Sequence, residues 1–283
     1  MSQSPTIAVI GGGVMGEAII SGVLRNRLTQ AECIFVADPI AERGHELAER
    51  YGISASVDAR ESVSKIQDLV ILSVKPQQLE SVFKTLKDNI PQDALVLSIV
   101  AGATVELVSN GLNHESVVRA MPNTPAQIGE GITVWYPSKA VRTEQIELAR
   151  QVLSAMGQEV EVNEEIYMDM ATALSGTGPA YAFMFMEAMI DAGVHLGFSR
   201  KISEKLVLQT LSGSVDYYRH KKVHPAQLRN EVTSPGGTTA AALYHLERMG
   251  FRTAISRAIW AAYERSQELG RGKKVKDPEK TND

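Results

Sequence analysis

The apolar run Ile7-Ala8-Val9-Ile10 stops on Gly11-Gly12-Gly13, and helix-forming sequence follows from about Met15 to Arg25. Strand, glycine turn and helix, in that order, constrain the fold more than any other feature of the chain. Gly11-x-Gly13-x-x-Gly16 is a weak signal in isolation. Between a strand and a helix it is the fingerprint of a dinucleotide site. Gly11 permits the tight turn, Gly13 lets the backbone approach a pyrophosphate, and Gly16 allows close packing of helix on strand. The whole loop, with Val14 and Met15, opens the helix, whose free amides and dipole favour anionic phosphate.

Further strands follow. Ile34 to Ala37, Leu69 to Leu72 and Leu95 to Ser98 are continuous apolar runs separated by helical stretches such as Ala41 to Arg50. Unalternating apolar strands between helices predict a parallel sheet covered on both faces. Val117 to Met121, Ile132 to Tyr136 and a short Val160-Glu161-Val162 read as later strands. The fold class is α/β, a Rossmann domain with a parallel-rich sheet followed by an all-helical domain. The predicted boundaries are 1–163 for the first, 164–270 for the second, and a disordered charged tail over 271–283.

The helical half holds one segment that a single bundle does not easily bury. From Pro179, at a first helical position, to Gly193 the helix is apolar on nearly every face, and only Glu187 and Asp191 interrupt it. Such a helix is buried all round. Either it is the centre of one bundle or a second copy of the chain packs on it; the expectation here is a homodimer through the helical domain, or a larger homo-oligomer. Its two acids and its length exclude a membrane span.

Charge and cysteine content narrow the function. The net charge of -4 offers no general attraction for nucleic acid or an anionic membrane. The lysines of the tail are followed by acids and read as a solvated end, and no basic-flanked apolar leader precedes the first strand. Cys33 is the single cysteine, read as a small core residue, and a cytoplasmic, reduced protein is the expectation. No metal ligand set is read.

Asp38 ends the second strand, about twenty residues beyond the glycine loop, where an acid binds ribose hydroxyls. It also precedes Pro39 and suits a turn. A carboxylate there repels a 2′-phosphate, while Arg43 offsets part of that charge. NADPH and NADH both stay open, with the balance tipped toward NADH. Lys75, within Ser73-Val74-Lys75-Pro76-Gln77, follows the Leu69–Leu72 strand and is placed to meet a ribose or phosphate, or merely to be solvated before a helix. Ser98 to Gly102, at another strand end, belongs near the nicotinamide. In the helical half, Val232-Thr233-Ser234-Pro235-Gly236-Gly237-Thr238-Thr239 is a glycine- and hydroxyl-rich loop running into a helix. Its amides suit a carboxylate, although a capped helix start is the plain alternative.

These segments resemble the pyrroline-5-carboxylate reductases. The resemblance is carried by the glycine loop with Met15-Gly16, by Val74 to Gln77, by Arg119-Ala120-Met121-Pro122-Asn123-Thr124-Pro125, by Leu174 to Tyr181, and most specifically by Pro225 through Glu247. It covers residues from about 5 to about 270 and implies reduction of the cyclic imine L-1-pyrroline-5-carboxylate to L-proline by NADPH or NADH. It further implies a substrate at a dimer interface, with its carboxylate on Ser234, Gly236, Gly237 and Thr238 and with Ser175 nearby. Thr239 would stand by the imine nitrogen as the catalytic residue. On the cofactor side it implies Gly11, Gly13, Val14, Met15, Gly16, Asp38, Val74, Lys75, Pro76, Ala101, Gly102 and Asn123. The acid at Asp38, followed by proline, departs from the polar residue and arginine common in the family, which puts the usual NADPH preference in doubt.

Three other readings compete. A β-hydroxyacid dehydrogenase would carry its catalytic lysine four residues after Gly178, where this chain has Ala182. An F420-dependent reductase is countered by the Pro225–Glu247 signature. A non-catalytic nucleotide sensor has no evident need for the hydroxyl-rich loop.

Overall fold

The computed structural model describes residues 4–270; the tail expected to be disordered lies outside them. The chain runs β1 (Ile7–Ile10), α1 (Val14–Arg25), β2 (Ile34–Ala37), α2 (Ala41–Tyr51), β3 (Ser54–Ser56), α3 (Ala59–Val63), β4 (Leu69–Leu72), α4 (Leu79–Leu86), β5 (Leu95–Ser98), α5 (Val105–Leu112), β6 (Val117–Met121), β7 (Gly131–Pro137), α6 (Thr143–Ser154) and β8 (Gly157–Glu161). The strands form one sheet in the order β3-β2-β1-β4-β5-β6-β7-β8. All neighbours are parallel except β6 and β7, whose short connection leaves no room for a crossover.

Period-two alternation divides the core between the sheet's faces. Ile7 and Val9, Leu69 and Ile71, Leu95 and Leu97 pack with Ile19, Ile20 and Val23 of α1 and Val152 and Leu153 of α6. Ala8 and Ile10, Val70 and Leu72, and Val96 face the other way, onto Val63, Leu79, Leu86 and Val108. Every residue of β1, β4 and β5 is buried, as the apolar runs predict. Each buried Leu, Ile or Val contributes about 1.5–3 kcal/mol of transfer free energy. Cys33 departs from expectation: it is half-buried, in a turn before β2, rather than in the core.

The remaining helices are α7 (Tyr167–Ala171), a π-helical turn at Thr172–Gly176, α8 (Gly178–His195), α9 (Arg200–Lys221), α10 (Pro225–Glu231), α11 (Thr238–Arg248) and α12 (Phe251–Gly270). The chain forms two compact units, residues 178–261 and the rest. The composition changes near 163, but α7, the π turn and the end of α12 pack with the sheet unit. In the helical unit α8 and α9 pack as a pair, and Gly193 lies so close to Ser203 that an added Cβ would come within 2.7 Å of its hydroxyl. Phe185 meets Phe251 at a ring separation of 6.1 Å. Within the chain no residue of α8 is buried; Phe183 is 61% and Met184 75% exposed.

Candidate functional site

The glycine loop is locked on three sides. Gly11 has φ +102°, a conformation open to glycine at little cost, and its amide donates to Ala37 O at 2.8 Å. The Ser73 hydroxyl donates to Gly11 O at 2.9 Å, and the Ser73 amide to Ile10 O at 2.8 Å. Gly13 is the exposed N-cap of α1, and no side chain caps it. A Cβ at Gly13 would meet nothing within 4 Å, whereas one at Gly16 would lie 2.2 Å from Gly11 O. Open space over an uncapped helix start, on a loop that cannot shift, fits an incoming pyrophosphate. Val14 is exposed beside it and Met15 half-buried.

Asp38 has a second role that spacing does not reveal. One carboxylate oxygen accepts from the Gly12 amide at 2.8 Å and the other from the Ile40 amide at 3.0 Å. The side chain expected to receive ribose hydroxyls therefore also ties the loop to the start of α2. Arg43 donates through Nε to Gly12 O at 2.7 Å and pairs with Glu46 at 2.6 Å and with Glu17. Glu17 also takes Arg50 and the Tyr51 hydroxyl, the latter at 2.9 Å. Burial acts to raise the Glu17 carboxyl, but hydrogen bonds from Arg43, Tyr51 and Arg50 outweigh it and hold the group below its ordinary value. This network was not legible in the sequence: its members come from two helices joined only by the fold.

The other strand ends are equally specific. Val74 is half-buried, while Lys75 and Pro76 are exposed beyond β4. Ala101 and Gly102 turn after β5 with φ +74° at Gly102, and a Cβ there would come within 3.2 Å of Leu269 and Gly270. Asn123 accepts from the Ile132 amide at 2.9 Å and donates to Ser175 O at 3.2 Å. It thus joins the β6–β7 connection to the π turn, and the Ser175 hydroxyl donates to Ala171 O at 3.0 Å. Arg119, only 4% exposed, pairs with Glu165 and Asp169 at 3.0 Å each. Asp169 also accepts from Ser266 at 2.9 Å. Arg119 opens the segment Arg119–Pro125 that carries the family resemblance, but acids forty-six and fifty residues downstream carry no local signal of pairing.

In the helical unit, the second loop is an uncapped helix start as well. Thr233 donates to Arg229 O at 2.6 Å and is thereby directed back into α10. Gly236 has φ +69°, and a Cβ on it would meet nothing within 4 Å. Gly237 is the N-cap of α11 without a side-chain cap, and its amide donates to Ser234 O at 3.1 Å. Ser234 therefore does not cap α11 as the plain alternative supposed. Its hydroxyl lies over Gly237, where an added Cβ would come within 2.4 Å of it. Thr238 and Thr239 open the helix, with Thr238 exposed and Thr239 half-buried. An uncapped helix N-terminus with the Ser234 hydroxyl over it suits a small carboxylate. His220, His224 and His245 are exposed on helices or their caps, as expected. Among the described residues no helix is long and apolar enough to cross a membrane.

Two family models match the chain. The family described as pyrroline-5-carboxylate reductase dimerisation matches residues 165–269, and that described as NADP oxidoreductase, coenzyme F420-dependent, matches residues 6–102. A pyrroline-5-carboxylate reductase of Synechocystis sp. is 42% identical, over 95% of this chain and 100% of its own. The crystal structure of Plasmodium falciparum pyrroline carboxylate reductase with NADP bound superposes with a TM-score of 0.87 at 31% identity, covering 95% of this chain and 99% of that one. The Coxiella burnetii pyrroline-5-carboxylate reductase structure gives 0.85 at 34%, covering 94% and 99%.

Proposed function

The chain belongs to the pyrroline-5-carboxylate reductase family, and from that premise we propose that it reduces L-1-pyrroline-5-carboxylate to L-proline, the last step of proline synthesis. The bound NADPH or NADH supplies the hydride. The hydride adds to the imine carbon, the C=N π electrons pass to nitrogen, and one proton completes the amine. A protonated imine is already a good electrophile, so the protein's part is orientation and exclusion of water.

The glycine loop, with Gly11, Gly13, Val14, Met15 and Gly16, binds the dinucleotide in this reading. Asp38, Val74, Lys75, Pro76, Ala101, Gly102 and Asn123 line its length. Ser234, Gly236, Gly237 and Thr238 hold the substrate carboxylate, with Ser175 contributing. Thr239 donates a hydrogen bond to the developing amine. The observation that carries the reading is the pair of uncapped helix starts at Gly13 and Gly237, with a positive-φ glycine two residues before the first, Gly11, and directly before the second, Gly236. The proposed division is residues 1–163 for the cofactor and 164–270 for substrate and association. The test is direct: oxidation of NADH or NADPH on addition of the imine. Absence of oxidation with both would overturn the assignment.

A homodimer through the helical unit is part of the proposal, supported by the exposed apolar residues of α8 and the dimerisation match. Met184→Asp is expected to shift the mass seen by sedimentation to that of a monomer. The unpaired Cys33 supports a reducing compartment, the cytoplasm.

A further inference from the structure

The ground beyond β2 is set against a second phosphate. The Asp38 carboxylate cannot withdraw, because it holds the Gly12 and Ile40 amides at 2.8 and 3.0 Å. The depression beside it is lined by Ala41, Gly44, His45, Ser56 and Val57 among others, and none of its lining residues is lysine or arginine. Arg43, one turn into α2, is the nearest candidate counter-ion in sequence. Each of its three guanidinium nitrogens already has an acceptor: Gly12 O, Glu46 and Glu17. Arg50 completes the ring by joining Glu17 and Glu46. Two arginines and two glutamates thus neutralise one another, and the side chains of Glu17 and Arg43 are each only 20% exposed.

A 2′-phosphate adds nearly two negative charges and three acceptor oxygens, and arginine is the usual residue that receives it. Here it would meet a fixed carboxylate, and the guanidinium of Arg43 is already charge-paired with two glutamates. We infer that Glu17 is a specificity-positioning residue: by holding Arg43 it withholds the cation that NADP(H) needs, so that the chain prefers NAD(H). The inference rests on the reductase reading and deepens it, since the hydride donor's identity is otherwise open. It sets the chain apart from the Plasmodium falciparum relative, whose crystal structure holds NADP.

The readout is the ratio of dissociation constants for NADP⁺ and NAD⁺, measured by titration calorimetry on the intact protein. The wild type is expected to bind NAD⁺ about ten-fold more tightly or better. Glu17→Gln frees one guanidinium edge and is expected to narrow the ratio about three- to ten-fold, through tighter NADP⁺ binding alone. Glu46→Gln loosens the same arginine from the exposed side of α2, without altering α1, and is expected to narrow the ratio in the same sense. Adding Arg43→Met to either variant is expected to abolish the gain. By itself, Arg43→Met is expected to change both affinities by one factor. A wild type that binds NADP⁺ as tightly as NAD⁺ would overturn the inference. So would glutamate variants that shift both dinucleotides equally. If neither dinucleotide binds at all, the reductase reading itself falls.

Discussion

The second and third glycines of the fingerprint, Gly13 and Gly16, make opposite predictions under the same substitution. Gly13 sits at the N-cap with φ −66° and ψ −173°, a conformation any residue adopts, and a Cβ there meets no protein atom within 4 Å. Gly13→Ala loses roughly 0.5–1 kcal/mol of capping preference and regains about 0.4–1 kcal/mol from a less flexible unfolded chain. Its melting midpoint should stay within about 3 °C of the wild type. The same methyl stands where a phosphate would approach the amides. Losing one charge-assisted hydrogen bond costs about 1.5–3 kcal/mol, so NAD⁺ should bind about ten- to a hundred-fold more weakly. Gly16→Ala is the converse. Its Cβ would fall 2.2 Å from Gly11 O and 2.8 Å from Ser73 Oγ, and a backbone oxygen held by Ser73 cannot yield. Overpacking of that kind costs about 1–3 kcal/mol, a fall of about 3–10 °C. Calorimetric melting and a dinucleotide titration on both variants measure the two quantities separately. Unchanged affinity in Gly13→Ala would refute the pyrophosphate position, and an unchanged midpoint in Gly16→Ala would refute the packing argument.

Other substitutions separate chemistry from architecture. Thr239→Ala should lower turnover on the imine about ten- to a hundred-fold, the contribution expected of one transition-state hydrogen bond, with dinucleotide affinity unchanged by titration. Equal weakening of both would remove Thr239 from the reacting atoms. Arg119→Met leaves Glu165 and Asp169 without their cation and should cost about 3 kcal/mol, read as a urea midpoint, because breaking a buried pair strands its acids. The Glu17 carboxyl titrates below its ordinary 4.5 in the folded chain. Its charge therefore stabilises the fold fully above that value, and the contribution is lost as pH falls through the depressed folded value. The stability gap between wild type and Glu17→Gln should be open at pH 7 and narrow steadily below pH 4.5, measured by urea unfolding.

How far the sequence could be read depended on the range of each interaction. β1, β2, β4 and β5 were legible to the residue, because a strand buried on both faces must be apolar throughout. β3, Ser54-Ala55-Ser56, escaped notice, since an exposed edge strand carries no such demand. β8 was expected at Val160–Val162 and lies at Gly157–Glu161 for a related reason: its residues are half-buried or exposed, and Gly157 takes φ +136° against Gly131. The glycine roles at Gly11, Gly13 and Gly16 could be foreseen because turn chemistry is local. The Asp38 bond to Gly12, the Glu17–Arg43 pair and the Arg119 cluster could not, because each joins segments that only the sheet brings together. The helices α4 to α6 bury only a few residues each and so carry a weaker signal than the strands.

The Arg119 cluster has an architectural consequence. Its acids come from the approach to the helical unit, at Glu165 and Asp169, and its serine from the return, at Ser266. Residues 178–261 are thus nested within the sheet unit in sequence rather than strung after it. A chain cut after residue 163 would keep all eight strands of the described residues yet leave Arg119 a stranded cation, and Gly102 would lose its cover from Leu269. No single splice can exchange the helical unit between proteins of this plan; two joins are required, one on each side of the insertion.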